Sequence, residues 1–104
     1  MAWIYLVIAG LLEIGWVYSM KQSEGFSRLA PSIVTLVLMT ASFGLLAAAM
    51  RHLPMGTAYA VWTGIGAVGA FTVGILVLGE SASLMRIMAA AFIVCGIVLM
   101  KLAS

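Results

Sequence analysis

Residues 29–50 and 53–79 carry no charged side chain at all. Either run is long enough to cross a bilayer, which takes about 20 apolar residues. Residues 1–20 form a third such run, broken only by Glu13, and residues 82–102 a fourth, if Arg86 and Lys101 reach for the interfaces. The chain of 104 residues is 65% hydrophobic and 8% charged. Soluble domains average about 45–50% apolar and about 25% charged. A soluble protein this small has no interior large enough for that apolar surface, so its solvent is lipid. The pattern predicts an all-α membrane protein of one domain, residues 1–104, with transmembrane helices over about 2–20, 30–50, 55–78 and 85–102.

The first span does not read as a cleaved signal, because no basic segment precedes it and a carboxylate sits in its middle. The single cysteine, Cys95, lies in the fourth span and reads as a small packing residue. The net charge of +2 comes from basic residues at helix ends, the usual anchors of a membrane protein, and does not point to nucleic acid.

Orientation is weakly encoded. Lys21, Arg28 and Arg86 fall on one side of the membrane, Arg51 and Lys101 on the other. Such a small bias leaves two readings: orientation set by another feature, or dual topology, with copies inserted both ways. Secondary transporters commonly place a midplane site between inverted repeats. This chain is too short for two repeats, but two oppositely inserted copies would build the same architecture as an antiparallel homodimer.

Gly64, Gly66 and Gly69 have the G-x-G-x-x-G spacing of dinucleotide-binding loops. That reading needs a preceding strand and an acidic residue about 20 positions on. The glycines instead lie inside an apolar span, and the nearest acidic residue, Glu80, ends that span. Gly56, Ala60 and Gly64 recur every four residues, as do Gly66, Ala70 and Gly74. Small residues at that interval let membrane helices approach closely. Glycine also weakens a helix by about 1 kcal/mol relative to alanine. Close packing and a hinge at Gly64 and Gly66 are both open readings.

Glu13 is the most informative residue. It lies about 15 Å into its span at a rise of 1.5 Å per residue. A charge at that depth costs about 2.5–3.5 kcal/mol on insertion scales and by default marks an ion or substrate path. The other reading is a protonated glutamic acid serving as structural glue. Low dielectric favours the protonated carboxyl and a neighbouring cation the ionised one, so one such group binds a proton or a cation in competition. Leu6, Ala9, Gly10, Glu13, Trp16 and Met20 share a helical stripe. Gly10 leaves room one turn below the carboxylate, and Trp16 offers an aromatic face and an N–H donor. Tyr59 and Trp62 share a stripe of the third span, too deep for the interfacial belt that suits Trp3 and Tyr5. Ser42, halfway along the second span, either hydrogen-bonds a carboxylate or bonds back to its own helix. Carboxylates with aromatic faces make a cation site. The sequence offers no metal-ligand cluster, no nucleophile–base pair, no phosphate loop and no sign of a cofactor; His52 stands beside Arg51 in a loop.

On "GLLEIGWVYSMK" (10–21) and "LPMGTAYAVWTGIGAVGA" (53–70) the chain resembles the small multidrug resistance family over nearly its whole length. "GFSRLAPS" (25–32) and "GES" (79–81) resemble that family's guanidinium-exporter branch. The resemblance implies an antiparallel homodimer of four-helix subunits in a bacterial inner membrane. It implies exchange of guanidinium for protons by alternating access. Glu13 of both subunits would bind substrate or proton, with Trp16, Ser42, Tyr59 and Trp62 lining the site and Gly10 leaving space. Gly64 and Gly66 would form the kink of the third helix, and the fourth helix the dimer contact. Multidrug relatives carry two glycines seven apart on that helix, where this chain has Ala89 and Gly96. Guanidinium is planar and pairs bidentately with carboxylate. A site that hydrogen-bonds N–H groups penalises cations that lack them. The rival readings are a broad quaternary-ammonium exporter of the same fold, a passive cation channel, and a non-transporting assembly subunit.

Overall fold

A computed structural model describes residues 2–103. It contains four helices: α1 (Ala2–Gln22), α2 (Leu29–Met50), α3 (Met55–Leu76) and α4 (Leu84–Leu102). Each is long and apolar enough to cross a membrane. The chain is therefore all-helical and multi-pass, as the uncharged runs predict. Two ends move by two residues: α1, expected to end at 20, runs to Gln22, and α3, expected to end at 78, stops at Leu76. Val77 caps α3 with its amide still donating to the Val73 carbonyl, and Gly79 then turns the chain at φ +70°, a conformation that costs glycine little.

The connections are short and built from local hydrogen bonds. Ser23 organises the first. Its hydroxyl donates to the Met20 carbonyl at 2.6 Å and accepts from the Phe26 amide at 3.0 Å. Its carbonyl accepts from the amides of Ser27 and Arg28. Glu24, Gly25 and Phe26 all take positive φ within this turn. Pro31 falls in the first turn of α2, where a missing N–H leaves no bond unmade. Ser83 caps α4 by accepting the Arg86 amide at 3.3 Å.

The helices form a slab of 41 × 34 × 16 Å, little more than one helix thick. α1 packs on α2 and α3, while α4 runs along α3 alone. No residue of α4 is buried. Its C-terminal end reaches α1 through Lys101, whose ammonium lies 4.7 Å from the centre of the Trp3 ring. Trp3 thus does more than sit in an interfacial belt. Cys95, expected as a packing residue, is exposed on α4.

The core is confined to one half of the bilayer. Leu6, Ala9, Leu46, Ala49, Ala58, Val61 and Trp62 form it. These come from the first half of α1, the last half of α2 and the first half of α3, so they cluster at the end carrying the α2–α3 turn. From Leu12 to Met20, α1 has no fully buried residue. Glu13 stands where the packed half gives way to the open one.

The glycines of α3 are notches. A Cβ added at Gly64 would lie 2.8 Å from Ile97 Cδ1 of α4. A Cβ at Gly66 would overlap the Glu13 carboxyl group, and one at Gly69 the Ile14 side chain. Close packing therefore has a named partner at each position. Gly56 departs from that pattern, since nothing lies within 4 Å of its added Cβ. α3 runs unbroken through Gly64 and Gly66.

Candidate functional site

Glu13 projects from α1 toward α3 because Gly66 leaves the space for it. Its Oε1 atom is buried and has no hydrogen-bond partner among the described residues. The same holds for Nε1 of Trp16, three residues along the same helix. A buried acceptor and a buried donor are thus both left open at mid-membrane. An unsatisfied buried polar group costs about 1–3 kcal/mol, so the carboxyl oxygen favours a partner that donates and the indole N–H one that accepts.

Aromatic rings line the approach. Trp16 meets Phe43 edge-on with centroids 6.2 Å apart. Phe43 lies 5.6 Å from Trp62, and Trp62 lies 5.8 Å from Tyr59. The four rings link α1, α2 and α3 in one continuous row. Tyr59 and Phe43 remain exposed, so a single chain leaves this side open. Phe43 is the member that sequence reasoning missed. A phenylalanine in an apolar span carries no signal of its own; only its position next to Ser42 at mid-span hinted at it.

Ser42 takes neither of its two anticipated partners. Its hydroxyl is fully buried and donates to the Ala9 carbonyl of α1 at 2.7 Å. It accepts from Nε1 of Trp62 at 3.0 Å. Three helices are therefore tied by one hydroxyl, one turn below Glu13. Trp62 is held by this bond and is only 7% exposed, so its ring is a fixed wall. The Ser42→Ala variant leaves the Trp62 N–H without an acceptor. We expect a stability loss of about 1–3 kcal/mol, and little further loss when Trp62→Phe is added, because the orphaned donor is then gone. Reversible unfolding in mixed micelles measures both.

Gly10 differs from its anticipated role. The space beside it is not empty: an added Cβ would lie 2.6 Å from Ile65 Cγ2. Gly10 lets α3 approach α1 closely just below the carboxylate, and so sets the α1–α3 distance at the site. Ala89 and Gly96 both lie exposed on α4, and nothing approaches Gly96 within 4 Å. His52 is exposed in its loop. Among the described residues no group of His, Cys, Asp and Glu is placed to hold a metal ion.

The family model described as Small Multidrug Resistance protein matches residues 1–95. A guanidinium exporter of Yersinia pseudotuberculosis is 65% identical over 104 residues, covering 100% of both chains. A guanidinium exporter of Escherichia coli K12 is 59% identical over 104 residues, covering 100% of this chain and 99% of the relative. One from Salmonella typhimurium is 57% identical over the same span, again 100% of this chain and 99% of the relative. A match over almost the full length, carried by a protein with four membrane-spanning helices and a carboxylate at mid-span, makes this chain a member of the small multidrug resistance family.

Proposed function

We propose that this protein exports guanidinium across a bacterial inner membrane in exchange for protons, as an antiparallel homodimer. The observation that carries the reading is the open acceptor Glu13 Oε1 at mid-membrane, three residues from Trp16, whose ring begins the aromatic row. The names of relatives 57–65% identical to the chain supply the substrate. Guanidinium fits the chemistry. It is a flat cation whose N–H groups pair bidentately with a carboxylate, and its π-face suits stacking on indole and phenol rings. Bulky quaternary cations, the substrates of the rival reading, have no N–H to offer Glu13.

What one chain leaves uncovered supports the dimer. The slab is 16 Å thin, its aromatic row is open on one side, and α4 has no buried residue. A second copy inserted the other way up would close the row, bring a second Glu13 to the midplane, and pair the α4 helices along the face of Ala89 and Gly96. Gly64 and Gly66 would then let α3 bend as the two subunits exchange conformations.

Coupling needs one site and two ligands. A proton on Glu13 removes the charge that holds the cation, and a bound cation holds Glu13 ionised. Guanidinium itself keeps its proton up to about pH 12, so any pH dependence belongs to the protein. Affinity is expected to fall as pH falls, approaching a factor of ten per pH unit below the titration of the carboxyl pair. Quenching of Trp16 and Trp62 fluorescence by guanidinium between pH 5 and pH 9 reports it. Affinity that is flat across that range would remove competition as the mechanism.

A further inference from the structure

A cavity apart from Glu13 lies at the membrane face where α1 ends and α4 begins. It holds about 330 Å³ between α1, α3 and the first turn of α4. Its inner wall is apolar and includes Ile14, Val17 and Phe71. Its mouth carries Lys21, Glu80 and Arg86. Ile14 lies seven residues before Lys21, about 10 Å deeper at 1.5 Å per residue. The cavity therefore runs from headgroup depth into the hydrocarbon, charged at the top and greasy below.

The three charges do not pair with one another. Lys21 and Glu80 have no ion-pair partner among the described residues. Arg86 is fixed over the opening: its guanidinium lies 5.1 Å from the Phe71 ring centre, and Nη1 donates to the Ser81 carbonyl at 2.8 Å. Its other side-chain N–H donors have no hydrogen-bond partner among the described residues. Glu80 lies across the notch left by Gly74, where an added Cβ would meet its carboxyl group. Two cations and one carboxylate leave the mouth at a net +1, which argues against a vestibule for a cationic substrate.

We propose that this cavity is a binding site for an anionic phospholipid with a hydroxylated headgroup, phosphatidylglycerol. Its single negative phosphodiester sits between Lys21 and Arg86. Its glycerol hydroxyls donate to Glu80, and part of an acyl chain fills the space against Ile14, Val17 and Phe71. Zwitterionic lipids match less well. Phosphatidylethanolamine brings no net charge, and phosphatidylcholine brings neither net charge nor a headgroup donor.

The test is lipid retention by the full-length protein. Protein is reconstituted in equimolar phosphatidylglycerol, phosphatidylethanolamine and phosphatidylcholine, released into mild detergent, and its lipid adducts counted by native mass spectrometry. Phosphatidylglycerol should dominate. Lys21→Gln and Arg86→Gln should each cut its retention about fivefold, since a basic residue near an anionic lipid contributes about 1 kcal/mol. Arg51→Gln with Lys101→Gln removes two positive charges from the opposite face, more than either single variant, and should leave retention unchanged. Ala70→Trp plugs the cavity without altering charge and should displace the lipid; circular dichroism checks that each variant is helical. Equal retention of the three lipids, a preference for phosphatidylethanolamine, equal loss in the opposite-face variant, or full retention in folded Ala70→Trp would each overturn the proposal.

Discussion

Glu13→Gln should abolish pH-driven guanidinium exchange while leaving a folded membrane protein. The substitution keeps the shape of the side chain and its place over Gly66. It removes the charge that a buried cation needs. Removing one partner of a buried ion pair costs about 3–5 kcal/mol, or about two to nearly four orders of magnitude in affinity. The measurement is guanidinium accumulation in proteoliposomes under an imposed pH gradient, wild type beside variant, each repeated with a bulky aromatic quaternary cation. Uphill movement of guanidinium that is lost in Glu13→Gln, with little transport of the bulky cation, supports coupled exchange in the narrow branch. Strong transport of the bulky cation would move the protein to the broad-specificity reading. Flux without dependence on the gradient would point to a channel. Unchanged activity in Glu13→Gln would make the carboxyl group structural.

Gly66→Ala carries the second large effect, and its sign separates two roles for that glycine. Replacing glycine by alanine inside a helix gains about 1 kcal/mol from propensity alone. If Gly66 served only to soften α3, the variant would be more stable and less mobile. The structure places the Glu13 carboxyl group where the new Cβ would go. Overpacking at a tight contact costs about 1–3 kcal/mol, which outweighs the propensity gain. The expected result is lower stability, with guanidinium affinity reduced about tenfold or more because the carboxylate is pushed from its notch. In a Glu13→Ala background the collision disappears, and the same change should become stabilising by up to about 1 kcal/mol. The two substitutions would then be strongly non-additive, as contacting residues are. Equal effects in both backgrounds would dissociate Gly66 from Glu13.

Much of the protein is readable along the chain. Four spans follow from the uncharged runs, because the bilayer demands about 20 apolar residues in a row and helical hydrogen bonding within each. Glu13 stands out for the same reason: a carboxyl group inside such a run costs free energy that packing alone would not retain. Tyr59 and Trp62 were visible because they sit too deep for the interface. Gly64, Gly66 and Gly69 were visible as small residues, but their partners were not. The seam of notches joins α3 to Glu13 and Ile14 of α1 and to Ile97 of α4, segments far apart in sequence.

Ser42 shows why the remainder was hidden. A hydroxyl in the middle of a span can bond its own helix, a neighbouring carboxylate or a neighbouring backbone, and all three readings fit the same letter. The choice of the Ala9 carbonyl and the Trp62 indole depends on the relative rise and rotation of α1, α2 and α3. The same variables bring Phe43 between Trp16 and Trp62, and Lys101 over Trp3. They also gather Lys21, Glu80 and Arg86 around one cavity. Hydropathy and buried charge are properties of single segments, so the sequence by itself determined the four membrane spans and the mid-membrane carboxylate. Which side chains meet between segments is a property of helix placement, and that only the tertiary structure decided: in lipid, association rests on close packing and interhelical hydrogen bonds rather than on hydrophobic burial, and those are set atom by atom.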